Sequence, residues 1–151
     1  MAQETCGVVM CALKLAMNAH DGQLDLAGAP YLLHPLAVAR EMQTEDGFAA
    51  ALLHDVMEDS DYTPDDLRAA GIPRHVIEAL CLLTRSKEEP YLTYVRRLGS
   101  NPLARAVKLA DLRHNMDLSR LPHVTEKDLA RLEKYRAAQK ILMENCEKGE
   151  L

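Results

Sequence analysis

Segments of helical periodicity follow one another along nearly the whole chain, most of them opened by a capping residue or proline and several closed by glycine. In "GVVMCALKLAMNAH", residues 7 to 20, Val8, Cys11 and Leu15 recur at the spacing of an amphipathic helix, with Val9, Ala12 and Ala16 beside them. "DGQLDLAGAPY" then breaks the pattern with Gly22, Gly28 and Pro30, and "HPLAVAREM" restarts a helix with Pro35 in its first turn. A helix over residues 47–57 comes next, followed by "TPDDLRAAG", with Thr63 as N-cap, Pro64 at the first position and Gly71 as stop. "PRHVIEALCLLT" carries a stripe of Val76, Ile77, Leu80 and Leu83, and "EPYLTYVRRLGSNP" holds a helix ended by Gly99. Asn101-Pro102 opens a long helix over 102–118, and Thr125 with Asp128 makes a capping-box-like start for the last, about Glu126 to Cys146. No run alternates polar and apolar residues over the length of a strand. Aromatics are 4% of the chain, so the core has to be built from Leu, Ala, Val and Met, a mixture that favours helices. The expectation is an all-α fold of about eight helices, one domain over 1–151.

Composition narrows the partners. A net charge of −5 without a long basic run argues against nucleic acid. No apolar stretch approaches the roughly 20 residues of a membrane span. Glu4 stands where a secretory signal carries basic residues, and Cys6, Cys11, Cys81 and Cys146 have no CxxC or zinc-like spacing. A cytoplasmic protein with reduced thiols is expected, and a homodimer is compatible with a small domain rich in Met and Leu. Met10, Met17, Met42, Met57, Met116 and Met143 fit core spacing.

Chemistry concentrates in "ALLHDVMEDS", residues 51 to 60. On a continuous helix at about 100° per residue, His54, Glu58, Asp55 and Asp59 fall within about 140° of one another. Leu52, Leu53, Val56 and Met57 fall on the other side. In the 102–118 helix, Lys108, Asp111 and Asn115 share one arc among Val107, Leu109, Ala110 and Leu112. An aspartate in a largely buried helix needs a partner, and a divalent metal is one. His34, at the edge of the apolar run "PYLLHPLAV" just ahead of a helix, brings a second imidazole. His34, His54, Asp55 and Asp111 then supply two nitrogens and two carboxylates, a set suited to Mn²⁺, with Fe²⁺ or Zn²⁺ as alternatives. His20, His75, His114 and His123 read as surface, capping or supporting groups.

"HDGQ…GAPYLLHPLAVA", "AALLHDVMEDSDYT" and "VKLADLRHNM" together resemble the signatures of HD-domain hydrolases of the Rel/SpoT type, in the family's order. The resemblance covers about residues 8 to 140. It implies a single HD-domain fold, one bound Mn²⁺, and removal of the 3′-diphosphate from (p)ppGpp. It also implies His34, His54, Asp55 and Asp111 as metal ligands, and Glu58 and Asp59 as the pair that activates the attacking water. Asn115 and Tyr135 match residues near the substrate. The bifunctional members carry a synthetase domain after the hydrolase domain, which a chain ending at Leu151 does not accommodate. Where members carry a basic pair after "GQ", this chain has Asp25 and Leu26, and its "ADLRHN" moves the family's arginine to Arg113.

The expected mechanism is general-base hydrolysis of a nucleotide phosphate, with Lys108 and Lys87 or Arg85 offsetting phosphate charge. Two alternatives remain at the level of sequence. One is the same chemistry on another nucleotide or dinucleotide phosphate such as NADPH. The other is a metal-binding sensor or interaction module without turnover.

Overall fold

Ala49, Ala50 and Ala51 carry no side chain beyond Cβ, and the helix they belong to is the one the others gather around. In a computed structural model that describes residues 7–148, the chain forms α1 (Val8–Ala19), α2 (Leu33–Ala39), α3 (Glu45–Leu53), α4 (Val56–Asp59) and α5 (Pro64–Ala69). It continues with α6 (Arg74–Leu83), α7 (Tyr91–Leu98), α8 (Pro102–Asn115), a 3-10 turn over Leu118–Arg120, and α9 (Glu126–Lys148). Among the described residues there is no strand, only an isolated bridge between Leu24 and Pro30 that pins the α1–α2 loop. The all-helical expectation is met.

The start signals work as local chemistry demands. Thr44 accepts the Gly47 amide at 3.0 Å, and Thr63 forms a full capping box with Asp66. Asn101 accepts the Ala104 amide at 3.0 Å, and Thr125 and Asp128 hydrogen-bond reciprocally at the head of α9. Gly71 adopts φ +99°, the left-handed conformation that ends α5. Gly99 has an ordinary φ of −63° and is needed for another reason. A Cβ there would strike Asn145 and come within 3.3 Å of Leu142, so its bareness lets α9 approach the end of α7.

Packing follows from these faces. α1, α2, α6 and α8 all lie against α3, while α9 covers α7 and α8. Leu52, Leu53 and Val56 join Val76, Leu80, Val107 and Leu112 in one buried core, where each fully buried aliphatic side chain contributes about 1.5–3 kcal/mol. Since α2, α3 and α8 meet there, the polar residues they carry are forced together.

Several expectations are corrected. The helix over 47–57 is broken: the His54 amide reaches only back to Ala51 O at 3.4 Å, and Asp55 sits at φ −107°, ψ 0°. The break splits that helix into α3 and α4, giving nine α-helices among the described residues, in keeping with about eight, and a single helical wheel does not run through it. His34 lies inside α2 as its second residue, not ahead of it. α8 ends at Asn115 and not near 118, with Met116 as its C-cap. Met10, Met17 and Met143 are about half exposed and belong to the surface. Cys81 and Cys146 are free thiols, whereas Cys6 lies outside the described residues. No helix among the described residues is long and apolar enough to cross a membrane.

Candidate metal centre

Three elements deliver the buried polar groups. α2 presents His34, the break between α3 and α4 presents His54 and Asp55, and the middle of α8 presents Asp111. A donor atom of each of His34, His54 and Asp111 lies within 4.8 Å of the other two, and all three residues are buried. His34 Nε2 stands 2.7 Å from Asp111 Oδ1, and His54 Nε2 lies 3.0 Å from Asp55 Oδ2 and 3.5 Å from Asp111 Oδ1. Asp55 therefore borders the group through His54 and does not belong to the mutually close set of three. Its Oδ2 also accepts a hydrogen bond from Tyr31.

The donor set fits a cation, and the His54 tautomer shows why. His54 Nδ1–H donates to Ala51 O at 2.6 Å, so in the neutral ring Nε2 is a bare lone pair. That Nε2 is buried with no hydrogen-bond partner, although two carboxylate oxygens stand near it. His34 has a partner at each ring nitrogen. Its Nδ1 is 2.6 Å from His114 Nδ1 and its Nε2 faces Asp111. Burial, with His34 and Arg120 beside it, holds the His114 pKa below its ordinary value. The bare His54 Nε2 and two carboxylates thus face one another beside His34, an arrangement a cation reconciles.

Titration tells the same story without a metal. Burial opposes the His54 imidazolium, yet the Asp55 and Asp111 carboxylates hold its pKa well above the usual value. Burial would raise the Asp111 carboxyl, but Lys108, His34 and His54 hold it well below the usual carboxylate range. Asp55, also opposed by burial, is drawn down to about 2 by His54 and Tyr31. A proton and a divalent ion compete for this centre.

The remaining candidates fall in different places. Lys108 Nζ donates to Asp111 Oδ2 at 2.9 Å and Asn115 Nδ2 to Asp111 Oδ1 at 3.0 Å, so the shared arc on α8 is real. Glu58 and Asp59 are exposed. Glu58 accepts the Arg85 amide at 2.6 Å and Asp59 accepts from Gln23 at 3.2 Å. Both carboxyl pKa values are raised, by burial first and then by Asp55. Tyr135 and Asn115 line a cavity of about 300 Å³ that reaches Tyr31 and His34. Lys87 is exposed on the α6–α7 connection and takes no part in lining that cavity.

Four neighbours complete the surroundings: His20 and His114 as the supporting groups the sequence allowed, and Tyr31 and Gln23, which no motif reading assigned. His114 stacks on His34, Tyr31 bonds Asp55, and buried His20 with Gln23 supports Asp59. The signal for His114 was its place three residues after Asp111, on the same side of α8.

Human MESH1, a guanosine-3′,5′-bis(diphosphate) 3′-pyrophosphohydrolase, is 39% identical over 107 residues, 64% of this chain and 60% of that protein. A guanosine-3′,5′-bis(diphosphate) 3′-pyrophosphohydrolase from Haemophilus influenzae is 36% identical over 116 residues, 68% of this chain and 17% of its own length. The solved structure of a metazoan orthologue of SpoT that hydrolyses ppGpp matches with a TM-score of 0.70 at 26% identity, over 95% of this chain and 88% of that one. The chain is a homologue of the Rel/SpoT-type hydrolases. No protein-family model matches it. It spans 60% of the length of human MESH1 and 17% of the Haemophilus protein.

In this Rel/SpoT homologue the loop after Gln23 is held by its own aspartate. Asp25 accepts the amides of Ala27 and Ala29, each at 2.9 Å, and so ties the loop to itself. Leu24 and Leu26 are 62% and 75% exposed and line the cavity. Arg113 bonds Glu41 at 3.2 Å, away from the cavity.

Proposed function

We propose that the protein, a single HD domain over 1–151, is a metal-dependent phosphohydrolase that removes the 3′-diphosphate of (p)ppGpp. The observation that carries this reading is the orphaned, buried His54 Nε2 set against Asp55 and Asp111 beside His34. His34, His54, Asp55 and Asp111 would hold one divalent ion, Mn²⁺ by the mixed nitrogen and oxygen chemistry. Bound there, the ion supplies Lewis acidity for a water and for a phosphoryl oxygen. Glu58 takes the proton of the attacking water: burial raises its carboxyl above the ordinary value, and Arg85 N–H occupies only Oε1. Asp59, oriented by Gln23, hydrogen-bonds the water or the leaving group. Lys108 and Asn115 fix Asp111 and lie beside the reacting phosphate, and Tyr135 closes the nucleotide's side of the cavity. The free thiols Cys81 and Cys146 agree with a cytoplasmic setting.

A second substrate is favoured by one observation. Asp25 and exposed Leu26 put an acid and an apolar side chain where the family's basic pair would be, so another nucleotide such as NADPH is a competitor. Incubating the protein with Mn²⁺ and ppGpp, pppGpp, NADPH or deoxynucleotides separates them. Pyrophosphate release from ppGpp is expected, and Glu58→Gln should keep the metal while slowing turnover about a hundredfold. A different preferred substrate replaces the first reading with the second, and bound metal without turnover leaves a sensor.

A further inference from the structure

Cations gather on the far side of Asp111 from His34. Lys134 Nζ lies 4.6 Å from the centre of the Tyr91 ring, the Arg85 guanidinium 5.6 Å and Lys108 Nζ 5.7 Å. Only Lys108 has a carboxylate partner, Asp111 at 2.9 Å. Among the described residues no carboxylate stands within ion-pair distance of Arg85 or Lys134. Glu89, which senses Arg85, is bonded to Arg97 at 2.9 Å.

Three positive groups around one ring repel each other. Ring faces attract cations by about 0.5–1 kcal/mol at exposed sites, too little to assemble three like charges without a counter-anion. Burial, followed by Arg85, Lys108 and Arg131, holds the Lys134 ammonium below the usual lysine range. The hydroxyl of the Tyr91 ring they surround is buried without a hydrogen-bond partner. An anion with several acceptor oxygens answers both deficits.

The position ties this group to the site. Lys108 bonds Asp111 on one side. On the other, Lys134 lies 5.5 Å from the ring centre of Tyr135, which lines the nucleotide cavity. Tyr91 and Tyr135 themselves pack with ring centres 6.4 Å apart.

We propose that Arg85, Lys134 and Lys108, with the Tyr91 hydroxyl, form a subsite for the phosphate groups of the substrate that attracts a diphosphate even without a metal. The cations absent from the loop at Asp25 and Leu26 would then be supplied from α9 and the α6–α7 connection. The substrate class rests on the phosphohydrolase reading above, but the subsite can be tested apart from it.

Inorganic pyrophosphate is titrated calorimetrically into the full chain, first stripped of metal by EDTA and then loaded with Mn²⁺. The metal-free chain should bind it, and the double variant Arg85→Ala/Lys134→Ala should weaken that binding at least tenfold. Arg85→Lys/Lys134→Arg should restore it, and Lys140→Ala, on the exposed part of α9, should change nothing. Mn²⁺ affinity should be equal in all of them, and the single variant Lys134→Gln should weaken pyrophosphate binding if the double variant unfolds. Pyrophosphate binding untouched by these changes, or absent from the metal-free wild type, overturns the subsite. Absence of bound Mn²⁺ with charge-dependent pyrophosphate binding would instead sink only the phosphohydrolase reading.

Discussion

At the scale of the residue, the centre is decided by which ring nitrogen of each histidine keeps its proton. His54 is fixed by a backbone carbonyl, an acceptor no side-chain mutation removes. His34 Nδ1 pairs with His114 Nδ1 at 2.6 Å, and what that pairing does for the centre can be tested. Replacing His114 with Phe keeps a ring stacked on His34 but deletes the nitrogen that partners His34 Nδ1. Outer partners of this kind are worth about 10–100-fold in metal affinity. His114→Phe should therefore weaken Mn²⁺ binding by about that factor, measured by electron paramagnetic resonance of the free ion. Unchanged affinity would mean that this pairing does nothing for the centre. The sequence could place His114 on the correct side of α8, but not its contact with His34, because that pairing spans 80 residues and depends on how α2 crosses α8.

At the scale of the element, caps were legible and interruptions were not. Thr63, Asn101 and Thr125 announce helix starts through side-chain chemistry that is local, so a few residues suffice to read them. The break at His54-Asp55 has no glycine or proline to announce it. The α9 cap yields a pH test. The Thr125 amide and hydroxyl donate to Asp128 at 2.8 and 2.9 Å and hold its carboxyl below the usual range. A depressed folded pKa contributes stability that is complete above the unfolded value and lost as pH falls through the folded one. Asp128→Asn should thus lower the melting temperature at pH 7. Its gap from wild type should close as pH drops from about 4 through the folded value. A gap that stays constant over that range would show that the ionised form is not what stabilises the cap.

At the scale of the whole molecule, the three-helix convergence of α2, α3 and α8 is what turns separate motifs into one centre. Apolar stripes and motif order made the helical class and the ligand candidates readable. What stayed hidden were the groups brought in by tertiary packing: Tyr31 on Asp55, Gln23 on Asp59, and the cation group around Tyr91. Lys134, which no motif marks, lies over Tyr91 together with Lys108. The most direct test of the central claim is metal stoichiometry. Wild-type protein and the variants His54→Ala and Asp111→Asn are equilibrated with Mn²⁺, with circular dichroism to confirm that each is folded. One ion per wild-type chain, and none in either folded variant, is the expected result. A wild type that takes up no ion, or variants that still bind one with full affinity, would contradict the account.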